Sequence, residues 1–293
     1  MTVFHGASIA LLAAFLYTAA SLFLKGTLER GASASQVNVA VNVAMALIVQ
    51  PLWLLERPEI PNAPLWQPLL CSGIFFLGQI LTFTALSRGD VSLATPLLGT
   101  KILFVTGMNA LFFSVPVTMR LWIAAIAATI SVALIAGGKR SRNHAIGFTV
   151  ICSLAAAACY SLTDVLIQHW GDHFDNAAFP PVMFGAAGVI SVIYYGLQDR
   201  TAFAPPARAQ PLLALGALFF GIQIVCFFFS LVWTHDATLA NVVYSSRTVW
   251  SVAAAWLAGH FLGLRDLEAG PGVMWRRLFG SLLLFGAIIL ILL

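Results

Sequence analysis

Ten apolar runs, most of them about twenty residues long and joined by short connections, restrict this chain of 293 residues to a bundle of membrane-crossing helices. A hydrocarbon core about 30 Å thick takes roughly 20 helical residues. That ruler predicts helices at about 6–25, 33–54, 66–87, 91–113, 118–137, 146–168, 178–197, 210–233, 237–260 and 274–293. Polar or Pro/Gly-bearing breaks separate them, among them Lys25-Gly-Thr-Leu-Glu-Arg, Glu56-Arg-Pro-Glu-Ile-Pro, Ser87-Arg-Gly-Asp, Lys139-Arg-Ser-Arg-Asn-His, Gly171-Asp-His-Phe-Asp and Leu264-Arg-Asp-Leu-Glu. Ser114-Val-Pro-Val-Thr-Met-Arg120 is a further break, because an unbroken helix over 91–137 would be twice too long. No segment is left for a soluble domain.

Composition agrees: 60% of the residues are hydrophobic, 9% are charged, and the mean hydropathy is +0.92, far from a soluble domain. The net charge of +4 does not indicate nucleic acid, since the bases fall singly or in short loops without a basic face to track phosphates. They set topology instead. With the N-terminus outside, eleven Lys and Arg lie in inside loops and only Arg57 and Arg120 outside, so both termini are placed outside the cytoplasm. Residues 1–7 carry no Lys or Arg and the run Ile9–Leu24 has no clear cleavage site, so it reads as the first membrane helix rather than a signal peptide. Cys71, Cys152, Cys159 and Cys226 lie inside apolar runs, without the close pairing of a metal or redox motif. Trp53, Trp66, Trp122 and Trp233 fall near span ends, where an aromatic belt sits.

The chain also repeats itself. Asp90-Val-Ser-Leu-Ala recurs 146 residues later as Asp236-Ala-Thr-Leu-Ala, and eleven residues after each Asp comes a cation, Lys101 in one case and Arg247 in the other. Gln67-Pro-Leu-Leu matches Gln210-Pro-Leu-Leu, Gln79-Ile matches Gln223-Ile, and Tyr17 matches Tyr160. Helices one to five thus correspond to six to ten, giving a first repeat over 1–143 and a second over 144–293. Five is odd, so the second half enters the membrane from the opposite side. The fold class expected is an all-α integral membrane protein, ten helices in two inverted five-helix repeats, an arrangement that suits alternating access.

This plan resembles the drug/metabolite transporter superfamily, and within it the EamA-type ten-helix members. The resemblance covers the whole chain and rests on architecture and repeat rather than on a sharp motif. It implies a secondary transporter in a cell membrane, as in a bacterial inner membrane. The fourth helix of each half in that family often has a central proline; here Pro96 occupies the first such place and Val242 the second. The mid-helix Lys and Arg depart from many EamA-type exporters, whereas phosphate-translocating relatives in the superfamily use basic residues in central helices.

Helix four is expected to start near Val91, which puts Lys101 about 15 Å along it, close to the midplane, with Arg247 at a similar depth from the other side. A charge there costs at least about 3 kcal/mol, so it faces a wet cavity, a ligand or a counter-ion. Asp164 alone among the acids lies well inside a span, and one carboxylate cannot neutralise two cations. Two readings stand: a cavity selecting anions, and structural pairing. Arg offers a bidentate fork for carboxylate or phosphate, Lys a point charge. Other candidates for substrate contact are Tyr244 and Ser251, which share a helix face with Arg247; Asn109, which shares one with Lys101; and the repeat-matched Gln79 and Gln223. Tyr17-Ser21-Lys25 and Tyr160-Asp164-Gln168 form matched stripes on helices one and six, and Trp250 could stack on a ligand or on Arg247. Asp90 and Asp236 read as helix N-caps.

The function expected is a secondary transporter for a small anionic or zwitterionic solute, such as an amino acid, a carboxylate or a phosphorylated compound. Asp164 is the candidate for proton coupling. A polyprenyl-phosphate translocase and a non-transport membrane receptor are the alternatives. Export of cationic drugs fits poorly, because helix one lacks a carboxylate and two midplane cations repel such cargo. The partners implied are a small-molecule substrate and the lipid bilayer. With no nucleotide-binding loop, zinc pattern or Ser-Lys dyad, neither an ATPase partner, a metal, another cofactor nor an enzymatic role is expected.

Overall fold

The computed structural model describes residues 3–55, 64–88, 94, 97–112, 117–136, 146–171, 178–198, 200–250, 253 and 271–292. Among them the chain is helical without strands. Helices of eight residues or more are α1 (Val3–Glu29), α2 (Ala34–Val49), α3 (Trp66–Arg88), α4 (Lys101–Phe112), α5 (Met119–Ala136), α6 (Ile146–Trp170), α7 (Phe179–Gln198), α8 (Gln210–Thr234), α9 (Ala237–Tyr244) and α10 (Pro271–Leu292). A helix satisfies its backbone within one segment, which is what an environment without water demands. Among the described residues five helices are long and apolar enough to cross a membrane, over Phe4–Glu29, Trp66–Ala85, Ile146–Trp170, Phe179–Gln198 and Gln210–Thr234, with shorter apolar helices beside them.

Local chemistry sets several ends. Ser33 opens α2 with a capping box: its hydroxyl accepts from the Gln36 N–H, and the Gln36 side chain accepts from the Ser33 N–H. Pro211 sits in the first turn of α8, where its missing N–H costs nothing. The same helix stops at His235, which takes a left-handed conformation with φ of 51°. Asp236 then caps α9, its carboxylate accepting from the Leu239 N–H at 3.0 Å. Its repeat partner Asp90 lies outside the described residues.

Two expected helices are not continuous. The helix predicted over 91–113 turns at Gly99-Thr100 and resumes at Lys101, and the one predicted over 237–260 stops at Tyr244, turns at Ser245-Ser246 and resumes at Arg247. The breaks match bond for bond. Thr100 N–H donates to Leu97 O and Ser246 N–H to Val243 O, both at 3.1 Å; Leu103 N–H donates to Thr100 O and Val249 N–H to Ser246 O, both at 2.9 Å. These are bonds to the third residue back, the tighter 3₁₀ pattern. Hydroxyls compete for the same carbonyls, Thr100 Oγ1 donating to Leu97 O at 2.6 Å and Ser245 Oγ to Val242 O at 2.5 Å. Helix propensity and hydropathy carry no trace of this, so apolar length alone overestimated both helices.

Helix pairing has a matching regularity. Helix α1 packs along α8 as α3 packs along α6; α2 lies on α8 as α3 lies on α7; α1 touches α9 as α4 touches α6. Helices α2 and α7 pack on each other, as do α5 and α10. Exchanging each helix for the one five later leaves all these pairs unchanged. The main core draws on both halves, including Met45, Phe75 and Val105 with Val165, Phe184 and Phe228. Outward faces carry bare apolar side chains such as Phe15, Leu77, Ile130, Ile151, Ile193 and Leu218, a surface suited to lipid.

Small residues set the close crossings. A Cβ on Gly188 of α7 would lie 2.7 Å from Ala46 Cβ and 3.3 Å from Asn42 O on α2, atoms that cannot swing aside. Gly188→Leu is therefore expected to destabilise the protein by about 1–3 kcal/mol. Gly107→Leu, at a site with open space around it, is the control. Thermal denaturation in detergent checks the contrast.

Candidate functional site

The two breaks deliver the two cations to the interior. Lys101 begins α4, and its Nζ lies 2.6 Å from Asp164 Oδ2 on α6, in a pair whose side chains are 16% and 8% exposed. Asn241 of α9 donates to the same oxygen at 2.7 Å. The ammonium also lies 5.2 Å from the Phe227 ring and 5.9 Å from the Tyr160 ring. Arg247 resumes the helix after the second break and stacks between two tyrosines, 4.6 Å from the Tyr17 ring and 4.5 Å from the Tyr244 ring. Cation–π contacts of this kind strengthen when water is excluded.

Each cation's backbone is held by the opposite half. Ser161 Oγ of α6 donates to Lys101 O at 2.9 Å, and Thr18 Oγ1 of α1 donates to Arg247 O at 3.3 Å. Ser161 and Thr18 occupy matching places, one residue after the matched Tyr160 and Tyr17. The sets diverge one turn further on, where α6 has Asp164 and α1 has Ser21. Ser21 turns its hydroxyl back to Thr18 O.

The remaining candidates scatter. Tyr17, Tyr160 and Tyr244 do gather around the cations, and Tyr244 packs at 4.4 Å on Phe227. The break falls between Tyr244 and Arg247, yet the guanidinium still lies over the Tyr244 ring. Asn42 donates to Gln79 Oε1 at 2.9 Å, a tie between α2 and α3, and also to the Asn38 carbonyl. Asn109 donates to Gln168, which in turn accepts from the Ala237 N–H and donates to His235 O, joining α4, α6 and the start of α9. Trp250 meets Phe15 edge-on at 6.0 Å. Ser251 and Pro96 lie outside the described residues.

Gln223 differs from its repeat partner Gln79. It is 1% exposed, and neither its oxygen nor its nitrogen has a hydrogen-bond partner in the structure. The reason lies in α7: where α2 has Asn42, the corresponding stretch is Gly185-Ala-Ala, which offers no side chain to bond. Phe220 and Phe227 lie one turn either side of Gln223, against Tyr17 at 6.0 Å and Tyr244 at 4.4 Å, so the α8 face that carries this amide meets the tyrosines around Arg247. Sequence reasoning passed over Asn241 and Ser161. A shared repeat position signals Ser161, while Asn241 becomes visible only once α9 is seen to end beside α6.

Next to the ion pair lies a small cavity of about 20 Å³, room for about one water, lined by Phe75, Phe184, Phe227 and Phe228 with other apolar groups, Thr163 and the charged Asp164.

The family model described as the EamA-like transporter family matches residues 4–137, from the start of α1 to the end of α5. The match covers a little under half of the chain, which is thus similar to that family over its first five helices. Its long apolar helices are those of a multi-pass membrane protein, and the match likens it to membrane transporters of the drug/metabolite type. A solved crystal structure, described only as that of a protein, aligns over 98% of this chain and 96% of its own, with a TM-score of 0.75 and 14% identity; it is similar in fold. No curated protein matches this chain in sequence.

Proposed function

We propose that this EamA-like protein carries a small anionic or zwitterionic organic solute by alternating access between two inverted repeats, 1–143 and 144–293. One observation carries the reading: matched helix breaks place Lys101 and Arg247 at equivalent points of the two halves, with the single carboxylate Asp164 beside one of them. Discontinuous helices are where such folds put substrates, because broken turns bring backbone groups and charges to a buried place. The family match supports the repeat boundary, since it begins with α1 and ends with α5. So does the exchange symmetry of the helix pairs.

Lys101 and Arg247 select negative charge, Tyr17, Tyr160 and Tyr244 wall the cations, and Gln223 supplies a buried donor and acceptor. Gln79, Asn109 and Trp250 stand further out, with Ser251 placed by sequence alone. The Phe227 and Tyr160 rings beside the Lys101 ammonium suit an anion with a compact apolar body. Loop charges support termini outside the cytoplasm of a bacterial inner membrane.

Thermal denaturation of the purified protein against carboxylates, phosphates, amino acids and amines tests the sign of the cargo, because a ligand bound to the folded state raises its apparent stability. Anions or zwitterions should stabilise the wild type, and Arg247→Gln should lose that shift while staying folded. Stabilisation by amines alone would overturn the proposal.

A further inference from the structure

We infer that anion binding at Lys101 and proton binding at Asp164 are one linked event, so that the solute travels with a proton. This rests on the anion reading above. In the structure Lys101 is already engaged: its Nζ is 2.6 Å from Asp164 Oδ2, and Asn241 donates to that oxygen as well. An incoming anion must take the ammonium from the carboxylate. An ionised carboxylate left in that place would face Ile224, Phe227, Phe228 and Leu231 of α8 and Met183 and Phe184 of α7, none of which can solvate it, with a second negative charge close by. A proton on Asp164 removes both costs. The neutral acid keeps the Asn241 bond and releases Lys101.

No other group nearby takes this role. The titratable and charged neighbours are Cys71 from α3, Lys101 from α4, Cys159 and Tyr160 on α6 itself, Tyr244 from α9 and Arg247 beyond the second break, with Tyr17 of α1 beside that arginine. Among these described residues Asp164 is the only carboxylate. The small cavity it lines leaves room for about one water beside the carboxylate. The charge balance follows: one monovalent anion and one proton cross together without net charge, so a pH gradient drives transport and a membrane potential does not.

The test uses phenylacetate as probe, chosen for the Tyr160 and Phe227 rings beside the ammonium, with succinate and inorganic phosphate beside it, and the intact protein in weakly buffered detergent with a pH indicator. The wild type should take up one proton for each phenylacetate bound, and its affinity should fall about tenfold per pH unit on the alkaline side. Asp164→Asn should bind the probe with no proton uptake and with affinity independent of pH, and in liposomes its transport should become sensitive to membrane potential. Asp164→Glu, which keeps the carboxylate, should retain proton uptake and covers the case in which Asp164→Asn does not fold. Anion binding by the wild type without proton uptake overturns the coupling and leaves the anion reading in place. Proton uptake that persists in folded Asp164→Asn also overturns it. Failure of all three anions to bind the wild type overturns both.

Discussion

Lys101→Gln is expected to cost about 3–5 kcal/mol of stability and to stop transport, while Lys101→Gln with Asp164→Asn regains most of the stability and still fails to transport. The single change leaves a buried carboxylate, its side chain 8% exposed, without its cation, and an uncompensated buried charge is among the most expensive defects a packed interior can hold. Asn241 still donates to Asp164, which softens the loss but supplies no charge. Removing both charges together leaves two neutral polar groups able to bond to Asn241 and to each other. A purely structural ion pair predicts that the double variant also transports. Thermal denaturation paired with uptake into liposomes separates the two roles, and normal transport by the double variant would remove Lys101 from the substrate site.

The class of fold was legible because lipid leaves so few solutions. Runs near twenty apolar residues can only be helices, and α1, α3, α6, α7 and α8 lie within a few residues of where hydropathy puts them. The shortfall came at the fourth and ninth helices. A break made by Thr100 or by Ser245-Ser246 is a matter of hydroxyls and 3₁₀ bonds, and those residues are too few to interrupt an apolar run. The repeat held the missing signal: a small polar residue stands immediately before each cation, Thr100 before Lys101 and Ser246 before Arg247.

Of the site, charge was readable and partnership was not. The scarcity of internal acids marked Asp164, yet only the packing of α4 against α6 decides that Lys101 rather than Arg247 receives it. Gln79 and Gln223 look equivalent in sequence, but an amide on a neighbouring helix satisfies one, and glycine and alanine leave the other without a bond. Pairwise repeat logic identifies matching positions. It cannot see that the two halves were filled differently.

That asymmetry yields the sharpest test of the site, Ser21→Asp. Asp164 stands four residues after Tyr160 and three after Ser161, and Ser21 stands at the same distances after Tyr17 and Thr18. Since Thr18 bonds Arg247 O as Ser161 bonds Lys101 O, a carboxylate at 21 should reach toward the guanidinium as Asp164 reaches the ammonium. A fork of this kind binds carboxylate in two bonds, more tightly than a point charge does. Ser21→Asp should therefore fold, add a carboxylate that competes with the anion for Arg247 and lower anion transport at least tenfold, although every native cation is still present. Ser21→Asn, of similar size and without charge, should transport much nearer the wild-type rate. Equal loss in both variants would mean that bulk at this turn of α1, rather than charge, is what the site rejects, and Arg247 would then have no claim to select the anion.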